Sequence, residues 1–169
     1  MSGDRGSKDI LAEENRAERE KLVGMLERAY WMEIETVMSY VANSVNPDGV
    51  RAMEIKESLE QDITEELGHA QQFAGRIKEL YGVVPGSEAF AAEQSYLQPP
   101  AEQTDITHVI KGVIEAEAGA IAHYNEIIDF AADVDPVTED MVIAILRDEQ
   151  GHMREFEGFL REYEAEGAA

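Results

Sequence analysis

Two segments of the chain repeat one arrangement of ionisable side chains: Glu66 is followed three residues later by His69, and Glu149 by His152. On an α-helix, residues three apart are neighbours on one face, so each pair offers a carboxylate and an imidazole to the same point. That mixed donor set suits a divalent transition metal such as Fe(II), Mn(II) or Zn(II). The spacing by itself is weak, since glutamate is abundant here and a lone histidine on an apolar helix face is more often a hydrogen-bonded core residue. The surroundings of the pairs supply the specificity. Glu66 and Glu149 each interrupt an apolar stripe, and Glu33 and Glu117 interrupt two others. Burying an ionised carboxylate costs several kcal/mol, so four unpaired ones would outweigh the roughly 5 to 15 kcal/mol net stability of a domain. No Lys or Arg stands at a comparable inward position, which leaves two divalent cations as the simplest counter-charge for four carboxylates.

These six residues must be positioned by four long helices, read from apolar residues at helical spacing between short breaks rich in Pro, Gly, Asn and Asp. The first is predicted over residues 14–43, with Leu22, Leu26, Ala29, Glu33, Thr36 and Tyr40 inward, stopping at Asn46-Pro47-Asp48-Gly49. The second runs from Asp48 to Tyr81-Gly82 and faces inward with Ile55, Leu59, Ile63, Glu66, Ala70, Phe73 and Ile77. Each is about 40 Å long at 1.5 Å per residue. A connection over residues 83–103, containing Pro99-Pro100, is long enough to cross the bundle, and a short helix is expected near residues 88–93. The third helix opens at Thr104 or Asp105, with Ile110, Ile114, Glu117, Ile121, Tyr124, Ile128 and Ala131 inward. The fourth begins after Asp135-Pro136 and turns Val142, Ile145, Glu149, His152, Phe156, Phe159 and Tyr163 to the core. The fold class is therefore all-α, an antiparallel four-helix bundle with a long crossover between helices two and three. Residues 1–13 are expected as a flexible acidic tail, residues 14–164 as the bundle and residues 165–169 as a second tail.

Within the stripes, neighbouring acids compete for the inward position. Glu115 and Glu117 are about 200° apart on a helix, so only one can face the core; Glu117 shares its face with Ile114, Ile121 and Tyr124, and Glu115 is the alternative. The same comparison selects Glu33 over Glu35 and Glu66 over Glu65. Glu33 precedes Tyr40 by the interval that separates Glu117 from Tyr124, which makes the chain two matched helix pairs. Tyr40 and Tyr124 are candidates to orient the carboxylates, against the plainer reading as core residues. Glu65 and Asp148 each precede a Glu-x-x-His pair and could hold the opposite imidazole, against the plainer reading as surface acids. His108 and His123 lack such support and are expected at the surface.

The chain has 169 residues, enough for one domain with its own core. It has no cysteine, so neither disulfides nor thiolate metal sites are available. No secretion signal and no membrane span is read in the sequence, and a cytoplasmic location is expected. The formal charge of -22 disfavours nucleic acid, whose phosphates it would repel, and favours cations as partners.

One Glu from each of two helices and Glu-x-x-His from each of two others resembles the ligand pattern of the ferritin-like di-iron and di-manganese carboxylate proteins. The stretches Glu66-Leu67-Gly68-His69-Ala70 and Ile145-Leu146-Arg147-Asp148-Glu149-Gln150-Gly151-His152 are similar to the metal helices of bacterioferritin. The resemblance implies two iron ions per chain, with manganese or zinc as substitutes. It implies that Glu66 and Glu149 bridge the metals while Glu33 with His69, and Glu117 with His152, complete each site. It also implies a ferroxidase, taking Fe(II) and either O2 or H2O2, for iron storage or detoxification, and a homo-oligomeric assembly. The bacterioferritin haem ligand, a methionine after the second-helix Glu, is replaced by Leu67, so no haem is expected, and no fifth helix is expected either. The longer amino-terminal segment and connection look more like the small Dps-like cages, without a basic DNA-binding arm. Competing readings are a rubrerythrin-like peroxidase, a manganese catalase, or a non-catalytic metal-binding bundle.

Overall fold

A computed structural model describes residues 9–167. Its helices are α1 (Arg16–Val45), α2 (Met53–Glu79), α3 (Ile106–Val134) and α4 (Pro136–Gly167), and the described residues contain no strand. α1 pairs mainly with α2, and α3 with α4. Contacts between the pairs fix their directions: Tyr40 meets Glu117 and Tyr124 meets Glu33, so α1 and α3 are antiparallel. Glu65 meets His152 and Arg76 meets Asp135, so α2 and α4 are antiparallel as well. Two apolar layers fill the bundle on either side of its middle. One gathers Leu22, Leu26, Phe73, Ile77, Ile127 and Val142; the other gathers Ile55, Leu59, Leu97, Ile110, Val113 and Phe156. The polar centre lies between them.

The breaks are local chemistry. After α1, Gly49 takes φ 102°, a region open to glycine, and a 3-10 turn at Val50–Ala52 delays α2 to Met53 rather than Asp48. At the end of α2, Tyr81 takes the left-handed conformation (φ 65°), and the Gly82 N–H donates to the Ile77 carbonyl at 2.8 Å. A Cβ on Gly82 would meet Ile77 and Val23 atoms within 2.9 Å, so glycine is needed for close approach. Asp105 caps α3 by accepting from the His108 N–H at 3.0 Å, which settles the choice between Thr104 and Asp105. Asp135 alone joins α3 to α4, and Pro136 opens α4, where its missing N–H costs nothing. Among the described residues, no helix is long and apolar enough to cross a membrane.

Several further expectations change. The buried face of α3 is rotated toward Val113, Ala116, Ala120 and Ile127, leaving Ile114, Ile121 and Ile128 only half-buried. No α-helix forms at residues 88–93; the crossover has 3-10 turns at Ser87–Ala89 and Ser95–Leu97. There the buried Glu35 carboxylate accepts the N–H groups of Glu93 (2.9 Å) and Gln94 (2.7 Å), which fixes the chain as an extended strap along α1. Of the segment expected as an amino-terminal tail, residues 1–8 lie outside the described residues. Ile10 is buried, and Arg19 donates to the Ile10 and Ala12 carbonyls, both at 3.0 Å. At the other end α4 continues through residues 165–167, and residues 168 and 169 lie outside the described residues.

Candidate metal centre

All six sequence-selected residues meet at mid-bundle. Glu33 comes from α1, Glu66 and His69 from α2, Glu117 from α3, and Glu149 and His152 from α4; each is at least nine-tenths buried. Their donor atoms form two sets, Glu33–Glu66–His69–Glu149 and Glu66–Glu117–Glu149–His152, each lying within 4.8 Å of one another, and each set could hold a metal ion. Glu66 and Glu149 belong to both sets. His69 Nδ1 lies 2.9 Å from Glu149 and 3.7 Å from Glu66; His152 Nδ1 lies 3.1 Å from Glu66 and 3.9 Å from Glu149. These approaches are close but not aligned as hydrogen bonds. Both Nδ1 atoms, Glu66 Oε1, Glu149 Oε1 and Glu117 Oε2 are buried with no hydrogen-bond partner among the described residues. Buried donor atoms left unsatisfied in this way are costly, and here they converge, which is the geometry that fits a pair of metal ions. Glu115 is exposed, so Glu117 is the α3 carboxylate of the cluster.

The surrounding groups orient the six. Tyr40 donates to Glu117 Oε1 at 2.6 Å, and Tyr124 donates to Glu33 Oε1, so each helix pair supplies a tyrosine to the other pair's carboxylate. Asp148 Oδ2 lies 3.1 Å from His69 Nε2, and Glu65 Oε2 lies 2.9 Å from His152 Nε2. Each Nε2 is thereby engaged by an exposed acid while Nδ1 faces inward, which is the orientation a metal-binding imidazole requires.

Protonation keeps the centre's charges in check. Burial, then the nearby charge of Glu66, pushes Glu33 well above the usual carboxylate range. Burial, then the Glu149 carboxylate, to which a protonated Glu117 can donate, does the same to Glu117. Burial also works against an ionised Glu66, but the Glu33 carboxyl and the His152 and His69 rings around it bring it well below the usual range. Burial would lower His69 and His152, yet the carboxylates beside them, Glu149 and Glu66 for His69 and Glu66 and Asp62 for His152, raise both to about 10. Tyr40 and Tyr124 are raised well above their ordinary value, chiefly by burial and next by the carboxylates they bond, so both stay as donors.

Four further residues were not anticipated. Asp62 is buried one turn before Glu66, 3.6 Å from His152 Nε2, and burial raises it to about 7; its i−4 spacing from Glu66 was the available signal. Glu35 is buried against the crossover, which no local pattern announces. His123 is not at the surface: it is 5 % exposed and its Nε2 lies 2.8 Å from the Met25 carbonyl, because the rotated face of α3 turns it toward α1. Arg76 is an inward cation after all, but it pairs with Asp135 at 2.7 Å, two turns beyond His69 and away from the centre. His108 is exposed, as expected, and Nε2 lies 3.0 Å from the Gln98 carbonyl.

The family model of the ferritin-like domain matches residues 23–165. The DNA protection during starvation protein of Pyrococcus furiosus is 32% identical over 155 residues, spanning 89% of this chain and 82% of that protein. In fold the chain is similar to the dodecameric thioferritin, a bacterioferritin-related protein, of Bacteroides fragilis (TM-score 0.76, 23% identity, 89% of this chain and 90% of that one). It is also similar to the bacterioferritin of Desulfovibrio desulfuricans, which carries a di-iron site (TM-score 0.76, 20% identity, 89% and 84%). A Dps protein of Vibrio cholerae has the same fold (TM-score 0.77, 15% identity, 86% and 92%). With its four-helix architecture and a match over most of its length, the chain belongs to the family of ferritin-like domains.

Proposed function

We propose that this protein is a ferroxidase, taking two Fe(II) ions per chain and oxidising them with hydrogen peroxide or dioxygen for iron storage or detoxification. The observation that carries the reading is the sharing of Glu66 and Glu149 between two overlapping donor sets. In this scheme Glu66 and Glu149 bridge the two ions, Glu33 and His69 complete one site, and Glu117 and His152 complete the other. Each Fe(II) gives one electron: with two protons, two Fe(II) reduce H2O2 to two waters or O2 to H2O2. Hard carboxylate donors hold the Fe(III) product better than Fe(II), which favours the oxidation. Tyr124 and Tyr40 keep Glu33 and Glu117 in place, and Asp148 and Glu65 keep Nδ1 of each histidine turned inward. Haem is not part of the scheme, since Leu67 stands half exposed on α2 with no sulfur to offer.

Dioxygen and hydrogen peroxide both suit the scheme; with peroxide, its removal together with iron would protect DNA without contact, a role in keeping with the relative named for DNA protection. A chain of charge -22 is suited to that indirect protection, and phosphates would be repelled by it. Assembly of many copies is part of the proposal. Met38, Val41 and Val45 form an exposed apolar stripe on α1, which a neighbouring copy would cover.

The test is oxidant consumption after anaerobic loading with two Fe(II) per chain, comparing the protein with the His69→Ala, His152→Ala double variant. Rapid oxidation lost in the variant is expected. Oxidation no faster than that of free iron would overturn the proposal and leave manganese peroxide chemistry or a non-catalytic metal-binding bundle. Light scattering of the purified protein reads the assembly, and a monomer would remove the storage half of the proposal.

A further inference from the structure

A cavity of about 10 Å³, room for one water-sized molecule, lies against Glu33, Glu66, Glu117 and Glu149. Its other wall is the seam between α1 and α3, formed by Met32, Thr36, Ala116 and Ala120. None of these four carries a charge, and the α3 side continues outward over the bare backbone of Gly119, where Tyr96 Oη and Met32 Cε come within 3.7 and 4.0 Å of the position a Cβ would take. The crossover lies over this seam. Gln94 is 4 % exposed; its Nε2 donates to Thr36 Oγ1 at 3.0 Å and to the Met32 carbonyl at 3.4 Å. The strap is pinned on three sides: Glu35 accepts the Glu93 and Gln94 N–H groups, Asn43 donates to the Leu97 carbonyl at 2.8 Å, and Gly112 allows the Tyr96 carbonyl to approach where a Cβ would stand only 2.6 Å away.

The opposite seam, between α2 and α4, has a different character. Both imidazole Nε2 atoms point there, toward Asp62, Glu65 and Asp148, and the last two are about half exposed. A hydrated cation finds carboxylate and imidazole ligands along the whole of that side, whereas inside its mouth the α1–α3 seam offers it only the Thr36 hydroxyl, already bonded to Gln94. An uncharged molecule of two or four atoms has no such need. Glu93 and Glu115 flank Tyr96 at the mouth of the α1–α3 seam, where they repel an anion.

We infer that Gln94, held over the α1–α3 seam by Glu35, is the stopper of a route by which a small uncharged oxidant reaches the cavity between Glu33 and Glu117. The inference rests on the ferroxidase reading for the identity of the traveller, but the route itself does not. Gln94 is a selectivity residue: it touches neither the six clustered residues nor the reacting atoms, and acts on passage alone.

Two variants test it, Gln94→Ala to remove the stopper and Ala120→Val to narrow the seam. The rate of H2O2-driven oxidation of the Fe(II)-loaded protein is expected to rise several-fold in Gln94→Ala and to fall several-fold in Ala120→Val. The rate of anaerobic Co(II) uptake, followed by its visible absorbance, is expected to stay the same in Gln94→Ala, whose altered side chain lies outside the cavity wall. Equal oxidation rates in all three proteins, or Co(II) uptake in Gln94→Ala that rises in step with oxidation, would overturn the inference while leaving the ferroxidase reading intact. If the unaltered protein oxidises no iron, that reading fails instead, and xenon under pressure decides the route in crystals. Xenon between Thr36 and Ala120, more occupied in Gln94→Ala, supports the route; its absence from the seam in both the unaltered protein and Gln94→Ala overturns it.

Discussion

Metal binding at this centre should expel protons, and their number follows from the structure. His69 and His152, both raised to about 10, are protonated at pH 7 in the metal-free protein. Neither can bind a metal through Nδ1 until that proton leaves. They contribute two protons per chain. Glu33 and Glu117, both raised well above the ordinary carboxylate range, contribute up to two more when they ionise as ligands. Two divalent ions bring four positive charges, so expulsion of four protons is an exchange of charge for charge. Histidines with the ordinary value near 6.5 would release only about 0.5 proton in total at pH 7, and ordinary carboxyls almost none. The assay is calorimetric titration of the metal-free protein with Zn(II), which brings no redox chemistry, in buffers of different ionisation enthalpy. The dependence of heat on buffer gives the proton count directly. Between two and four protons per two ions is expected; one or fewer would refute the protonated-centre reasoning.

The same groups make the metal-free protein sensitive to pH. A group raised in the folded state stabilises below its unfolded value and loses that contribution as pH climbs to the folded one. For His69 and His152 the melting temperature without metal should therefore fall between about pH 6.5 and about 10, and Glu33 and Glu117 act in the same direction from lower pH; thermal scans with and without Zn(II) check it, the loaded protein giving a flatter curve. Tyr124→Phe leaves the buried Glu33 Oε1 without its donor and should cost the metal-free protein about 1–3 kcal/mol in urea unfolding. Arg76→Ala strands the buried Asp135 carboxylate at the α3–α4 corner and should cost about 3–5 kcal/mol, with metal stoichiometry unchanged. Gly112→Ala drives a Cβ into the Tyr96 carbonyl and should cost about 1–3 kcal/mol, with faster amide exchange at Glu93 and Gln94.

How much of this was legible in the sequence depended on whether a signal was periodic. Glu33, Glu66, Glu117 and Glu149 were visible because a charge on an apolar stripe violates the pattern that defines the stripe, and Glu-x-x-His repeated the violation. Tyr40 and Tyr124 were visible through their equal spacing, and the structure gives that spacing a reason in the reciprocal bonds to Glu117 and Glu33. His123 was misplaced because α3 is apolar on more than one side, so Ile121 and Ile128 pulled the expected face away from Ala116 and Ala120, whose small size hides their burial. The crossover was the least legible part. Its conformation is set by a buried carboxylate nearly sixty residues earlier, and neither Glu35 nor Gln94 departs from anything in its own neighbourhood.

Whether the metal is structural or a reactant can be argued from what holds the bundle together without it. The apolar layers on either side of the centre are complete, and two polar anchors lie outside it: Arg76 with Asp135 and Thr138 at one end, and Glu35 with the crossover in the middle of α1. None of these uses a donor atom of the six clustered residues. At the centre itself, protons take the place of the metal charges, since the imidazoles are cationic and two carboxyls are held toward neutrality. A structural zinc site behaves otherwise, because there the binding free energy is the folding free energy. Here the chain should remain folded when emptied, losing stability but not its architecture, and a site that can be emptied and refilled without unfolding is what iron turnover requires. Far-ultraviolet circular dichroism after exhaustive chelation decides between them: retained helix with a lower melting temperature supports a reactant metal, and collapse of the helical signal at room temperature would make the metal structural.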